Sequence, residues 1–126
     1  MKTALMLIAH GSRNAAANDD LYALAEELHH ARVYAAVEAS FLELAEPTID
    51  AAVRRCLLQN AERVILLPYF LSAGVHVRRD LQDHRDRLAQ EYATVEFILA
   101  EPIGRHSLLR EIVLQRAKEA ESRWDV

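Results

Sequence analysis

Four apolar runs alternate with four amphipathic stretches along the chain, and this alternation restricts the fold more than any other feature. The runs are Thr3–Ala9, Val33–Leu42, Arg63–Leu67 and Thr94–Ala100. The stretches that follow them carry apolar residues at the i, i+3, i+4 spacing of an amphipathic helix; the stripe of the last one is Leu109, Ile112, Val113, Ala117 and Ala120. This β-α-β-α-β-α-β-α order predicts an α/β fold in which helices cover both faces of a four-stranded parallel sheet.

The composition of the strands predicts their order in that sheet. Thr3–Ala9 and Arg63–Leu67 are nearly unbroken apolar runs, so both belong in the centre of the sheet. The second and fourth runs carry Glu38 and Glu96, so they belong at the edges. Right-handed crossovers then favour the strand order 2-1-3-4. A chain of 126 residues has the length of one domain, which we expect to span residues 1–126.

The overall composition excludes several classes of protein. Apolar residues make up 52% and charged residues 27% of the chain, which is typical of a globular domain. The net charge of −4 argues against a nucleic-acid partner, because such a surface does not neutralise phosphates. A lone cysteine, Cys56, excludes a disulfide framework and a cysteine-rich zinc site. The run Ala4–Ala9 is too short for a signal peptide or a membrane span, so we expect a cytoplasmic protein that does not enter the membrane.

Residues that can carry chemistry follow the strands rather than the helices. His10 comes directly after the first strand, Glu43 follows the second, and His76 ends the long loop after the third. Ligands of such sheets bind beyond the carboxyl ends of the strands, where the strand order reverses. With the order 2-1-3, the three residues sit on adjacent strand ends and could converge on one ion or one proton-transfer site. The alternatives are a helix-capping His10, a surface His76 and a solvated Glu43.

Basic residues gather at the same rim of the predicted sheet. They are Arg13, Arg78, Arg79 and Arg105. A basic rim on an acidic protein suits a small polyanion. Alternatively, Arg78 and Arg79 only pair with Asp80 and Asp83 along the third helix.

The remaining histidines and the cysteine have structural explanations. His29 and His30 close the first helix, where a cation suits the helix dipole. His84 falls on the apolar stripe of the third helix, and Cys56 is a core residue of the second. His106 opens the last helix and faces either the cleft or solvent.

Four segments resemble one known family. They are LMLIAHGSRN at 5–14, FLELAEPTI at 41–49, LPYFLSAGVHVRRDL at 67–81 and EPIGRHSL at 101–108. In this order and spacing they are similar to the small class II chelatases, which comprise sirohydrochlorin cobaltochelatases and ferrochelatases. The resemblance covers nearly the whole chain.

The resemblance implies a chelatase-like domain that inserts a divalent metal into sirohydrochlorin, a tetrapyrrole with eight carboxylates, for cobalamin or sirohaem biosynthesis. The metal is Co²⁺ or Fe²⁺, with Ni²⁺ as a further candidate, and no organic cofactor is implied. His10 and His76 match the family's catalytic and metal-binding histidines, and Glu43 matches its acidic partner. We assign substrate binding to Arg13, Arg78, Arg105, Ser72 and Gly74. Small members pair two copies, which implies a homodimer.

Two other functions compete with this interpretation. A non-enzymatic carrier of metal or tetrapyrrole would keep the same ligands without turnover. A phosphoryl-transfer enzyme using His10 is disfavoured, because those enzymes place an arginine where this chain has Ala9. Asp80 either orients the His76 imidazole or pairs with a neighbouring arginine.

A dimer also needs an apolar patch that one copy leaves exposed. The candidates are Tyr69, Phe70 and Leu71, which follow the third strand. Alternatively, these three residues pack under the third helix within one chain.

Overall fold

The apolar runs form one parallel sheet in the computed structural model, which describes residues 1–124. Its strands are β1 (Thr3–Ala9), β2 (Ala36–Phe41), β3 (Arg63–Pro68) and β4 (Glu96–Leu99). The helices are α1 (Ala15–His30), α2 (Ile49–Leu58), α3 (Val75–Glu91) and α4 (Leu108–Trp124). The sheet order is β2-β1-β3-β4, so the predicted fold class and strand order are confirmed.

The pairing of the central strands β1 and β3 continues beyond the predicted carboxyl end of β3. β3 ends at Pro68, which pairs with Ile8, one residue beyond the predicted end of the strand. The backbone N–H of Tyr69 then donates to the Ile8 carbonyl at 2.7 Å. The edge strands β2 and β4 are shorter than the predicted runs. Within those runs, only residues 36–41 and 96–99 pair with a neighbouring strand.

Alternate residues of β1 enter two separate cores, since successive side chains of a strand point to opposite faces. Met6 and Ile8 pack with α2 and α3 on one face. Leu5 and Leu7 pack with α1 on the other face. The apolar stripe of α3 is confirmed, with Leu81 and Leu88 fully buried.

Side-chain caps fix the starts of α1 and α2. The side chain of Asn14 caps α1 by accepting from the Ala16 N–H at 3.1 Å. Asn18, Asp19 and Asp20, which by residue type could also cap a helix, lie within α1 instead. Thr48 caps α2 by accepting from the Ala51 N–H at 3.2 Å, so Pro47 lies directly before the cap.

The last helix, α4, is the largest departure from the expected packing. Its apolar stripe is the kind that buries against a sheet, yet no residue of α4 is buried. Ile112 and Val113 are 51% and 67% exposed. No helix of residues 1–124 has both the length and the apolar character needed to span a bilayer.

Candidate active site

Backbone hydrogen bonds carry the pairing of β1 and β2 past the ends of both strands. The N–H of Leu42 donates to the Ala9 carbonyl at 2.9 Å, and that of Glu43 donates to the His10 carbonyl at 3.0 Å. His10 and Glu43 are therefore neighbours at the carboxyl edge of the sheet, where the strand order reverses. Both residues are exposed, so both can meet a ligand.

Gly11 permits this close approach. Its φ of +95° is a backbone conformation that residues with a side chain rarely adopt. A Cβ at this position would overlap the carbonyl oxygen of Glu43 and lie 3.3 Å from the Cβ of Phe41. A glycine here lets the chain turn away directly after His10 while the extension of β2 remains in contact.

The imidazole of His10 lies against the ring of Phe70. The two ring centroids are 4.5 Å apart and the rings are inclined by 48°. Phe70 is only 6% exposed and belongs to the core shared with α2 and α3. The prediction that Phe70 lies in an exposed patch was wrong, because this side chain packs within the chain. Tyr69 and Leu71 do remain exposed, at 40% and 70%.

Asn18 holds the loop that follows His10, a role that the sequence analysis missed. Its Oδ1 accepts from the Ser12 N–H at 2.9 Å, and its Nδ2 donates to the Ser12 carbonyl at 2.8 Å. The side chain is buried in α1 and lies on the same stripe as Leu21 and Ala25. A polar residue on an apolar stripe was the available signal, because a buried amide requires partners.

The third predicted ligand, His76, lies in the first turn of α3 and is exposed. Among residues 1–124, no three His, Cys, Asp or Glu side chains are close enough to one another to hold a metal ion. The structure thus joins His10 to Glu43 through the backbone but does not assemble them with His76 as a preformed ligand set. Within the same residues, Asp80 makes no hydrogen bond to His76.

Three of the five predicted substrate-binding residues share one small cleft. Ser72, Arg78 and Arg105 line a cavity of about 80 Å³ between the loops that follow β3 and β4. Gly104 brings these loops together, since an added Cβ would overlap the Leu71 carbonyl oxygen. Arg13 and Gly74 lie outside this cleft: Arg13 is exposed after β1 and Gly74 is the N-cap of α3.

The rim arginines are not paired with neighbouring carboxylates. In the part of the chain that the structure describes, no ion pair involves Arg13, Arg78, Arg79 or Arg105. Further along α3, Arg87 pairs with Asp50 at 3.0 Å. The alternative that Arg78 and Arg79 are neutralised by Asp80 and Asp83 is therefore not what the structure contains.

The other predicted histidines have structural contacts. The Nδ1 of His106 accepts from the Leu108 N–H at 3.1 Å at the start of α4, so its exposed ring acts as a helix cap. His84 is half-buried and lies 3.0 Å from the Arg87 guanidinium. His30 lies at the end of α1, 3.7 Å from Glu26.

A larger cleft of about 380 Å³ runs along the free edge of β2, away from the strand ends. Glu38 lines it, and partial burial raises the pKa of this carboxyl despite the opposing effects of Arg55 and His29. Behind β2, Cys56 is fully buried, and burial raises the pKa of its thiol to about 12. Cys56 is therefore a core residue, as predicted.

A profile of the CbiX family matches residues 4–120 of the chain. The sirohydrochlorin cobaltochelatase of Priestia megaterium is 37% identical over 117 residues, which are 93% of this chain and 38% of that protein. The sirohydrochlorin cobaltochelatase of Methanopyrus kandleri is 31% identical, and the match covers 93% of this chain and 96% of that protein. The chain thus spans well under half of the first relative and nearly all of the second.

Two solved structures have the same fold. A CbiX protein from Marinobacter aquaeolei superposes with a TM-score of 0.84 at 34% identity, covering 96% of this chain and 98% of that one. SirB from Bacillus subtilis with Fe³⁺ superposes with a TM-score of 0.83 at 30% identity, covering 95% of this chain and 48% of that one.

Proposed function

The chain belongs to the CbiX family, and on this basis we propose that it is a chelatase that inserts Co²⁺ or Fe²⁺, with Ni²⁺ as a further candidate, into sirohydrochlorin. It would act in the cytoplasm on the route to cobalamin or sirohaem. The observation that carries the proposal is the contact of His10 with Glu43 and Phe70. The backbone hydrogen bond makes His10 and Glu43 neighbours at the point where the strand order reverses, the position at which such sheets bind ligands.

In this proposal His10 and His76 bind the metal ion and Glu43 supplies a third ligand. Imidazole and carboxylate donors suit divalent first-row ions such as Co²⁺ and Fe²⁺. All three side chains are exposed, so each can rotate toward an ion that arrives from solvent. A ligand set of this kind suits an ion that is substrate, because the ion has to leave for the macrocycle.

Metal insertion also releases two protons from the pyrrole nitrogens of the macrocycle. A neutral imidazole that gives up the ion has a free lone pair, which can accept one of these protons near neutral pH. His10 and His76 therefore serve as ligands first and as proton acceptors second. The Phe70 ring, packed against His10, limits the orientations of that imidazole during the exchange.

The carboxylates of the substrate would be bound by the rim residues. Arg13, Arg78 and Arg105 offer guanidinium groups that can bind a carboxylate through two hydrogen bonds. Ser72 and the backbone N–H of Gly74 add neutral donors. Because these arginines make no ion pair within residues 1–124, binding substrate breaks no existing pair there.

We further propose that the working unit is a homodimer. The cleft that Ser72 and Arg78 line, of about 80 Å³, is far smaller than a tetrapyrrole. A second copy would supply another wall for the substrate. The lengths of the relatives agree with a homodimer. This chain spans 96% of one cobaltochelatase but only 38% of another, so the longer relative has enough additional chain to take the place of a second copy.

The test is to mix the protein with sirohydrochlorin and Co²⁺ and to follow the absorption spectrum of the macrocycle. We expect His10→Ala and His76→Ala to lose insertion above the uncatalysed background while circular dichroism stays unchanged. His30→Ala is the matched control, because it removes an exposed histidine at the far end of α1. Wild-type turnover in His10→Ala would contradict the mechanism. Metal binding without any turnover in the wild type would identify a carrier instead.

The role of the arginine rim is tested by steady-state kinetics. Arg78→Ala should raise the KM for sirohydrochlorin, and added salt should raise it for the wild type by screening the same contacts. Arg54→Ala is the control, since this exposed arginine belongs to α2, away from the rim. A KM that is indifferent to both changes would contradict this part of the proposal.

A further inference from the structure

The apolar stripe of α4 (Leu109, Ile112, Val113, Ala117 and Ala120) is left uncovered within residues 1–124, apart from Leu109, which is half-buried. No residue of α4 is buried, and Val113 is 67% exposed. The other three helices each bury at least two residues against the sheet. A helix whose apolar side chains recur at helical spacing is normally stabilised by packing that face, so the stripe predicts a contact that one copy does not provide.

One half of a sheet face also lacks a helix. On the side of α1, that helix packs over β1 and β2. The neighbouring surface consists of Ile65 and Leu67 of β3, which are half-buried, and Ile98 of β4, which is 38% exposed. Ile65 and Ile98 are register partners, so their side chains lie on the same face. We call Ile65, Leu67 and Ile98 the open sheet face.

We propose that two copies exchange this helix: α4 of each copy packs its apolar stripe on the open sheet face of the other. The inference rests on the proposed homodimer and identifies its interface, but it is independent of the metal chemistry. It assigns a function to the only helix of residues 1–124 that buries nothing.

A second copy fits these two surfaces because the same chain carries both of them. In a twofold arrangement, each copy offers one helix and receives one, so the assembly closes and leaves neither surface uncovered. The area is also adequate. The 17 residues of α4 make a helix about 25 Å long and about 10 Å wide, a footprint of about 250 Å². Each packed helix buries about 250 Å² of its own surface and about the same area of the sheet beneath it. The two helices of the dimer therefore bury about 1,000 Å² in total, the size at which specific interfaces begin.

The loop before α4 is held in a way that fixes where the helix starts. The N–H of Gly104 donates to the Phe70 carbonyl at 2.9 Å, and that of Ile103 donates to the Pro68 carbonyl at 3.3 Å. These bonds tie the loop to the carboxyl edge of the sheet, so α4 starts at the rim that holds Arg105. An exchanged helix would therefore hold the second copy beside the proposed substrate cleft.

Cross-linking tests the exchange directly. Two variants that each add one cysteine, Val113→Cys and Ile98→Cys, are mixed and treated with a short bismaleimide. The native Cys56 is fully buried and does not compete. We expect a cross-linked dimer in the mixture and little in either protein alone. A cross-link of monomer mass in the double variant, with none in the mixture, would overturn the proposal because it would show α4 packed on its own sheet.

Sedimentation with charged substitutions supplies the second test. Ile112→Asp combined with Val113→Asp places two carboxylates in the stripe and should raise the dimer dissociation constant at least about 100-fold. Lys118→Asp is the control, because it introduces the same side chain on the opposite side of α4. A dimer that survives the double substitution would overturn the exchange.

The outcomes also separate this inference from the proposed activity. A cross-linked dimer that does not metallate sirohydrochlorin would support the exchange and refute the chelatase. A wild-type monomer with full insertion activity would support the chelatase and refute both the dimer and the exchange.

Discussion

Replacing Gly11 by alanine should damage both the stability and the site of this protein. The backbone at Gly11 has a φ of +95°, and forcing a residue with a Cβ into such a conformation costs on the order of 1–3 kcal/mol. The new Cβ would also overlap the Glu43 carbonyl oxygen and lie 3.0 Å from its carbon, so the backbone of Glu43 must move. That movement strains the 3.0 Å hydrogen bond from Glu43 to His10, which contributes about 1 kcal/mol.

These contributions together give a loss of about 2–4 kcal/mol in the free energy of unfolding for Gly11→Ala. Urea unfolding followed by far-ultraviolet circular dichroism measures it, with an unchanged m-value showing that the transition is the same. Gly74→Ala is the matched control. An added Cβ there meets nothing within 4 Å and the φ is −69°, so the loss should stay below about 1 kcal/mol.

The activity of Gly11→Ala, measured well below its melting temperature, adds a functional readout. Separating Glu43 from His10 should slow metal insertion even while the protein remains folded. Equal stability of Gly11→Ala and Gly74→Ala would refute the argument, because it would mean that the loop relaxes without moving the extension of β2.

Three other predictions follow from buried groups. Asn18→Ala removes both hydrogen bonds to Ser12 and should lower the free energy of unfolding, measured by urea titration, by about 2 kcal/mol. Asp19→Ala, at an exposed position of the same helix, should change it by less than about 0.5 kcal/mol. Equal losses would contradict the role of Asn18. Burial raises the pKa of Glu38 above 4.5, so the folded state holds this proton more tightly than the unfolded state, and stability is lost as pH rises past 4.5. Glu38→Gln should therefore gain stability relative to the wild type between pH 4 and pH 7, and a difference that does not vary with pH would contradict the burial effect. The pKa of Cys56, about 12, leaves roughly one thiolate in 10⁴ at pH 8, so Ellman's reagent should label the native protein only as fast as it unfolds; rapid labelling would show that the thiol is accessible.

Local patterns in the sequence were sufficient to determine the architecture. Unbroken apolar runs identify β1 and β3 as central strands, because a strand buried on both faces tolerates no charge. Glu38 and Glu96 identify the edge strands by the same reasoning. Once the order 2-1-3-4 follows, the carboxyl edge is the place for a site, and the proximity of His10 to Glu43 is a consequence of strand pairing.

Contacts between residues far apart in the chain were beyond these patterns. The sequence leaves open whether Phe70 joins an exposed patch or the core, and only the packing of the β3 loop puts its ring 4.5 Å from His10. By residue type both Asn14 and Asn18 suit a helix cap, and only the structure shows that Asn14 caps α1 while Asn18 holds the loop at Ser12. The stripe of α4 shows why the sequence does not reveal such contacts. Helical spacing determines that a face is apolar, but the tertiary structure decides which surface covers that face. In α4, one copy of the chain buries none of the residues on it.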